Sequence, residues 1–202
     1  MLHLEAIDPT GLAILKKILQ DPLFRDFFLV GGTGLALQTG HRLSDDLDLF
    51  TQSSFDPIRL VPSLQKIGKV IVTGESMNTL NCFIDKTKTD FICYSYPLIS
   101  DLVYAEGIRM AGIPDIAAMK LSAVAQRGSR KDFYDIYELL NQYSLSELLK
   151  FFEKKFPPID TFHILKSLIY FEDAEKENDP ILLKKVSWKQ VMQSILKNVR
   201  EI

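Results

Sequence analysis

The stretch Phe27-Phe28-Leu29-Val30-Gly31-Gly32-Thr33-Gly34 runs from apolar residues straight into a glycine turn, and Ser44-Asp45-Asp46-Leu47-Asp48-Leu49-Phe50 follows shortly after. The apolar run reads as a short buried strand. In the second segment carboxylates alternate with leucines. Alternation with a period of two puts Asp46 and Asp48 on one face of a strand and Leu47 and Leu49 on the other. Adjacent carboxylates on one face repel each other and lose hydration. A divalent cation between them removes that penalty, and hard cations such as Mg²⁺ prefer carboxylate oxygen. The pattern therefore points to a metal-dependent site that handles phosphate.

The chain has 202 residues, enough for one large domain or two small ones with a substantial core. Its apolar and charged fractions, 47% and 25%, are those of an ordinary globular protein. No apolar run approaches the length of a membrane span, so no membrane partner is expected. Met1 to Gln20 carries Glu5, Asp8, Lys16 and Lys17, unlike a secretion signal, and Leu12, Leu15 and Leu19 fall at helical spacing. A cytoplasmic location is expected. Cys82 and Cys93 lack a CxxC arrangement and read as reduced, buried thiols. His3, His41 and His163 are scattered, which argues against zinc. A net charge of −2 gives no global attraction to nucleic acid.

The first half reads as mixed α/β. After the Phe27–Gly31 strand, Thr33 to Gly40 has helical composition, with Thr33 as its expected cap and Gly40 as its end. Asp45 to Thr51 is the second strand. Asp56-Pro57 opens a helix to about Ile67, which Pro62 would kink or shorten. Lys69–Thr73, Thr79–Ile84 and Thr89–Tyr94 are strands, the last two a hairpin about Asp85-Lys86-Thr87-Lys88, and Gly107–Ala111 is another. From Pro114 the pattern turns helical. Pro114–Gln126 is broken by Arg127-Gly128. Ser129 caps a helix with a Phe133, Ile136, Tyr137, Leu140 stripe. Ser144 and Glu147 form a capping box for a helix that ends at Pro157-Pro158. Thr161–Phe171 and Ser187–Val199 complete the chain. The expected division is an α/β domain over 1–112 and a helical domain over 113–202 that closes the cleft.

A strand, a glycine turn and a helix start together present unpaired N–H groups and a positive dipole end, and Gly31 and Gly32 let a phosphate approach the backbone. Gly32 and Gly34 are followed by Leu37 where a dinucleotide fingerprint needs its third glycine, and the lysine of a P-loop is missing. A third carboxylate, Asp90, opens the apolar strand Lys88-Thr89-Asp90-Phe91-Ile92. Three carboxylates on neighbouring strands can hold two Mg²⁺ ions, which suits phosphoryl-type transfer.

Gly31-Gly32-Thr33, Arg42, Ser44 and Asp46-Leu47-Asp48-Leu49-Phe50 resemble the signature of minimal nucleotidyltransferases of the polymerase-β superfamily. With Asp90, Met119-Lys120-Leu121, Arg127, Lys131-Asp132 and Asp135, the chain is similar to the AbiEii/AbiGii toxin family of type IV toxin–antitoxin and abortive-infection systems. The resemblance spans about residues 27 to 140. It implies an α+β fold: a nucleotidyltransferase-type mixed β-sheet with flanking helices, followed by a C-terminal helical domain. It implies that Gly31, Gly32 and Thr33 hold the triphosphate, with Arg42 and Ser44 beside them. Asp46, Asp48 and Asp90 would bind the metals, Asp90 as ligand or as base toward the acceptor hydroxyl. Lys120 would reach the nucleotide phosphates, and Arg127, Lys131, Asp132 and Asp135 would line the same cleft. Gly32 departs from the serine of many superfamily members, and Thr33 is expected to supply the missing hydroxyl.

The helical residues also have plainer readings. A lysine such as Lys120 in an apolar helix ordinarily extends to solvent. Lys131 and Asp135 form an ordinary i, i+4 pair, and Asp132 can support its helix start. Asp45 points away from Asp46 and Asp48, toward solvent. The activity implied is Mg²⁺-dependent transfer of an NMP from an NTP to a hydroxyl acceptor. The resemblance implies a tRNA acceptor, for which Arg127, Arg130 and Lys131 offer a local phosphate-contacting patch. It also implies a cognate antitoxin acting on the operon. Transfer to a protein or small molecule, and a non-catalytic nucleotide- or partner-binding relic, remain open on sequence. No residue ties the site to one base.

Overall fold

The computed structural model describes residues 1–157 and 160–202. Its helices are α1 (Pro9–Gln20), α2 (Gly31–Thr39), α3 (Pro57–Gln65), α4 (Ile113–Gln126), α5 (Arg130–Leu140), α6 (Leu145–Lys155), α7 (Phe162–Leu168) and α8 (Trp188–Arg200). Its strands are β1 (Phe28–Leu29), β2 (Leu47–Thr51), β3 (Val70–Ser76), β4 (Thr79–Ile84), β5 (Thr87–Cys93), β6 (Val103–Ala105) and β7 (Ile108–Met110). They form one mixed sheet in the order β3-β4-β5-β2-β1-β7-β6. Strand β2 is parallel to β5 and antiparallel to β1. This is the mixed sheet with flanking helices that the sequence implied.

Strand alternation builds two cores, one on each face of the sheet. Leu29, Leu47, Leu49 and Phe91 join Ile14, Leu15 and Ile18 of α1 and Leu60 and Leu64 of α3. On the opposite face Phe28 and Phe50 join Ile116 and Leu121 of α4, Phe133 and Ile136 of α5, and the later helices. Asp48 lies two residues from Phe50 and Asp90 two residues from Ile92, so both share the face turned toward α4 and α5. The two leucines of β2 bury that strand from behind.

Several local expectations hold. The side chain of Asp56 caps α3 through the Ile58 N–H, and Pro62 sits inside that short helix. Ser144 and Glu147 form the capping box of α6, and Gly40 ends α2 in the left-handed conformation. Of the Pro157-Pro158 stop, Pro158 lies outside the described residues. Other expectations need correction. Thr33 does not cap α2, which starts at Gly31 after Val30. Ser129 precedes α5, but its hydroxyl donates to Asp132 Oδ2 at 2.6 Å instead of to the helix backbone. Strand β6 was not legible, since three residues are too few to show a period. Both cysteines are free thiols, and Cys93 is only half-buried.

A buried ion pair joins α4 to α6 and ties both to the loop between β5 and β6. Asp115, in the first turn of α4, accepts from the Ile99 and Ser100 N–H groups at 3.0 Å each and from Ser100 Oγ at 2.7 Å. Lys155 Nζ donates to Oδ1, which it shares with the Ile99 N–H, at 2.7 Å and also to Pro97 O at 2.9 Å. Both side chains are buried. Asp115→Ala would leave a buried ammonium without its counter-ion and two backbone donors without an acceptor, and is expected to cost about 3–5 kcal/mol. Urea unfolding measures this. A loss below about 1 kcal/mol, the size of a surface pair, would mean that the pair does not anchor α4.

Candidate active site

Parallel pairing of β2 with β5 sets Asp48 opposite Asp90 and Leu47 opposite Thr89. One step before the ladder, Asp46 lies on the side of Lys88, whose Nζ is 3.1 Å from Asp90 Oδ2. Above β2 the chain turns at Gly31 into α2. Gly31 has φ +68°, and a Cβ there would overlap the Asp48 carboxylate. A Cβ on Gly32 would lie 2.5 Å from Arg42 Nη2 and 3.1 Å from Ser44 Oγ. Glycine at these two positions is therefore imposed by the side chains beneath them. No side chain caps α2, so its first-turn N–H groups are free to meet an anion.

These residues line one cleft of about 270 Å³. Gly31, Gly32, Arg42, Ser44, Asp46, Asp48, Lys88 and Asp90 form its polar side, and Lys120, Arg127 and Lys131 approach from α4 and α5. Val30, Phe50, Ile116, Met119 and Ala123 supply an apolar side. The cleft thus offers backbone donors, carboxylates, cations and an apolar wall within a small-molecule-sized space.

A buried charge network forms the back of the cleft. Asp135 is fully buried and accepts from Arg42 Nε at 2.7 Å and Nη2 at 2.9 Å, a two-point fork. It also meets His41 Nε2 at 2.7 Å and Lys120 Nζ at 2.6 Å. Asp132, equally buried, accepts from Lys120 Nζ at 3.1 Å, Arg127 Nε at 2.8 Å and Nη2 at 3.0 Å, and Ser129 Oγ. Lys120 is only 4% exposed. Burial alone would lower its pKa, but Asp135 and Asp132 outweigh burial and hold it above the ordinary lysine range. Burial likewise opposes ionisation of Asp132, yet Arg127, Lys120 and Ser129 bring its pKa down to about 2. Asp135 is held well below the usual range against its burial, chiefly by Arg42 and Lys120.

The strand carboxylates are less well served. Burial pushes the Asp48 carboxyl above the usual range; Lys120 opposes this, and the Asp90 and Asp46 charges add to it. Asp90 Oδ1 is buried without a hydrogen-bond partner. An orphaned carboxylate oxygen beside a carboxylate that resists ionisation fits a divalent cation, and oxygen donors suit Mg²⁺. Among the described residues no three such side chains converge into a ready metal cluster. Lys131 Nζ stands 3.9 Å from Asp46 Oδ2 and Lys88 sits on Asp90.

A model of the nucleotidyl transferase AbiEii toxin family, type IV toxin–antitoxin system, matches residues 13–99 and 90–201. The chain belongs to the AbiEii family. It is a nucleotidyltransferase. It is similar to the uncharacterized protein aq_aa25 of Aquifex aeolicus (strain VF5), 42% identical over 173 residues that cover 81% of this chain and 82% of that one. Its fold is shared with the Mycobacterium tuberculosis H37Rv nucleotidyltransferase toxin MenT4, with TM-score 0.59, 13% identity, and 96% and 83% of the two chains covered. The Helicobacter pylori protein JHP933 is similar to the same extent, with TM-score 0.59, 18% identity, and 96% and 92% covered.

Of the residues singled out from sequence, the fold brings Gly31, Gly32, Arg42, Ser44, Asp46, Asp48, Asp90, Lys120, Arg127 and Lys131 to one cleft. Thr33 is a correction: it is buried, and its hydroxyl donates to Asp46 O and toward Ser44, so it cannot replace a serine at position 32. Asp132 is another: both its oxygens are engaged by cations behind the cleft, where they position Lys120 and Arg127. Lys131 does not pair with Asp135, which is buried against Arg42, His41 and Lys120 while the Lys131 side chain is half-exposed near Asp46. Lys120 does not reach solvent. The basic patch splits, because Arg130 is bound to Asp179 at 2.6 Å and stacked on Trp188. Asp45 is exposed as expected. His41 and Lys88 were missed. A lone histidine carries no spacing signal, while Lys88, two residues before Asp90, was visible as a same-face neighbour.

Three outcomes follow from the opposite situations of these aspartates. Asp48→Asn removes a charge that the fold disfavours and is expected to raise the melting temperature of the metal-free protein at pH 7. Asp135→Ala strands Arg42, takes one of two counter-ions from Lys120 and is expected to cost about 3–5 kcal/mol. Asp132, with its lowered pKa, stabilises the fold above pH 4, and about 2–3 kcal/mol of that is lost as pH falls toward 2. Calorimetric melts at pH 7 and below check all three. A lower melting temperature for Asp48→Asn would contradict the reading of that carboxylate.

Proposed function

We propose that the cleft transfers an NMP from an NTP, as the Mg²⁺ complex, to a hydroxyl of RNA, with the tRNA 3′ end as the acceptor. The pairing of Asp48 with Asp90 beside the Gly31–Gly32 turn carries this reading: paired carboxylates meet a phosphate cradle within one cleft. Asp48 and Asp90 would hold the metal, with Asp46 as third donor toward a second ion. Bound there, the metal neutralises the phosphate charge and steadies the pyrophosphate leaving group. Gly31, Gly32 and the start of α2 receive the phosphates on backbone N–H groups. Ser44 and the inward edge of Arg42 stand beside them, and Lys120, locked between Asp132 and Asp135, fixes positive charge opposite Asp48. Asp90 is also the group to draw the proton from the acceptor hydroxyl, through the oxygen that the metal leaves free. Phe50, Met119 and Ala123 offer the base an apolar surface. In this reading residues 1–112 carry the chemistry and residues 113–202 cover it.

The RNA acceptor is supported by the type IV toxin family and by the exposed Arg127 and Lys131 side chains at the cleft, 57% and 47% exposed. A cognate antitoxin is the expected partner of such a toxin. The test incubates the protein with each α-labelled NTP, Mg²⁺ and either total RNA or RNA-free lysate. Label is expected on RNA, reduced about 10²–10³-fold by Asp48→Ala and by Asp90→Ala. RNA binding is expected to weaken with salt at a log–log slope near −1 to −2, as about two phosphate contacts require. Label appearing only on protein or small molecules, with a flat salt response, would replace the RNA acceptor. Equal transfer by wild type and Asp48→Ala would remove the site.

A further inference from the structure

Five cationic side chains line the cleft: Arg42, Lys88, Lys120, Arg127 and Lys131. Their freedom differs sharply. Arg42 and Lys120 are buried on Asp135, with Lys120 shared with Asp132, and Arg127 is forked onto Asp132. Lys131 is 3.9 Å from an exposed carboxylate. Lys88 alone among them sits directly on one of the paired strand carboxylates, at 3.1 Å, and its own side chain is 47% exposed. Its partner Asp90 is satisfied on Oδ2 only, while Oδ1 is buried without a partner.

We propose that Lys88 is an exchangeable counter-ion of the active site. Its ammonium neutralises Asp90 while no divalent cation is bound, and it moves to the nucleotide's phosphates when a cation takes that carboxylate. The inference rests on the reading that Asp48 and Asp90 hold the metal. The placement follows from the strand. A period of two puts Lys88 and Asp90 on the same face of β5, and the parallel register sets that face beside Asp46 and Asp48. One ammonium supplies one positive charge to the Asp48–Asp90 pair, so it offsets only part of their repulsion. A divalent cation offsets more and also satisfies Asp90 Oδ1. A lysine on a flexible four-carbon stem can then leave without breaking any other contact, unlike the forked arginines. The displaced ammonium stays in the cleft that Gly31 and Gly32 line, where a phosphate chain and Asp46 are the anions left to it. Lys88 thereby works in opposite directions on the two ligands: it competes with the metal and assists the phosphates.

That opposition is the test. Isothermal titration calorimetry follows Mn²⁺ binding to the nucleotide-free protein, and then binding of tripolyphosphate in saturating Mn²⁺, for wild type, Lys88→Gln, Asp48→Asn and Asp90→Asn. Lys88→Gln is expected to bind Mn²⁺ about 5–10-fold more tightly and tripolyphosphate about 5–10-fold more weakly, the scale of one partly exposed ion pair. Circular dichroism melts verify that each variant is folded. Changes of the same sign in both ligands, or no change in either, would overturn the role of Lys88 while Mn²⁺ binding lost in Asp48→Asn and Asp90→Asn upholds the metal site. Mn²⁺ binding that is absent from wild type, or indifferent to both aspartates, would remove the metal site and the Lys88 inference together.

Discussion

Asp135 holds the site together. It is a fully buried carboxylate on α5 that binds Arg42 and His41 from the loop after α2 and Lys120 from α4. Three segments far apart in sequence therefore meet on one side chain. A buried ion pair adds little stability beyond what an apolar cluster would give, because desolvation consumes most of the attraction. Its contribution here is position. The Arg42 fork on Asp135 fills the space above Gly32, and Lys120 is held facing Asp48.

The consequence is a division of labour between two groups of aspartates. Asp132 and Asp135 are supplied with more donors than they need and keep their charge at any ordinary pH. Asp48 and Asp90 are left short: one resists ionisation and the other has an orphaned oxygen. A protein selected for stability alone would relieve them. Keeping uncompensated carboxylates beside an uncapped helix start is what a site for a metal–phosphate complex requires, and the AbiEii family membership agrees with it.

Much of this was legible in the sequence because strand alternation is a strict rule. Asp46, Asp48 and Asp90 could be assigned to faces without coordinates, since Leu47, Leu49 and Phe91 had to be buried on the other side. The glycine turn was legible for the same reason of sterics. The helical half yielded less. The resemblance put Lys120 and Arg127 in one cleft, but did not show that Asp132 lies between them, because that contact depends on how α4 meets α5. Lys131 and Asp135 looked like a surface pair at i, i+4, yet rotation of α5 buries one and exposes the other. His41 was invisible, as its role exists only through Asp135. Long-range side-chain contacts have no period, and these were the ones that sequence reasoning missed.

The central claim is that Asp48 and Asp90, beneath the Gly31–Gly32 turn, hold the metal–triphosphate complex. The most direct measurement is a crystal structure with Mn²⁺ and a non-hydrolysable NTP, with the ion located by anomalous scattering. The account requires an anomalous peak within coordination distance of both carboxylates and the triphosphate against the first turn of α2. A peak on other residues, or a triphosphate bound away from Gly31 and Gly32, would contradict it.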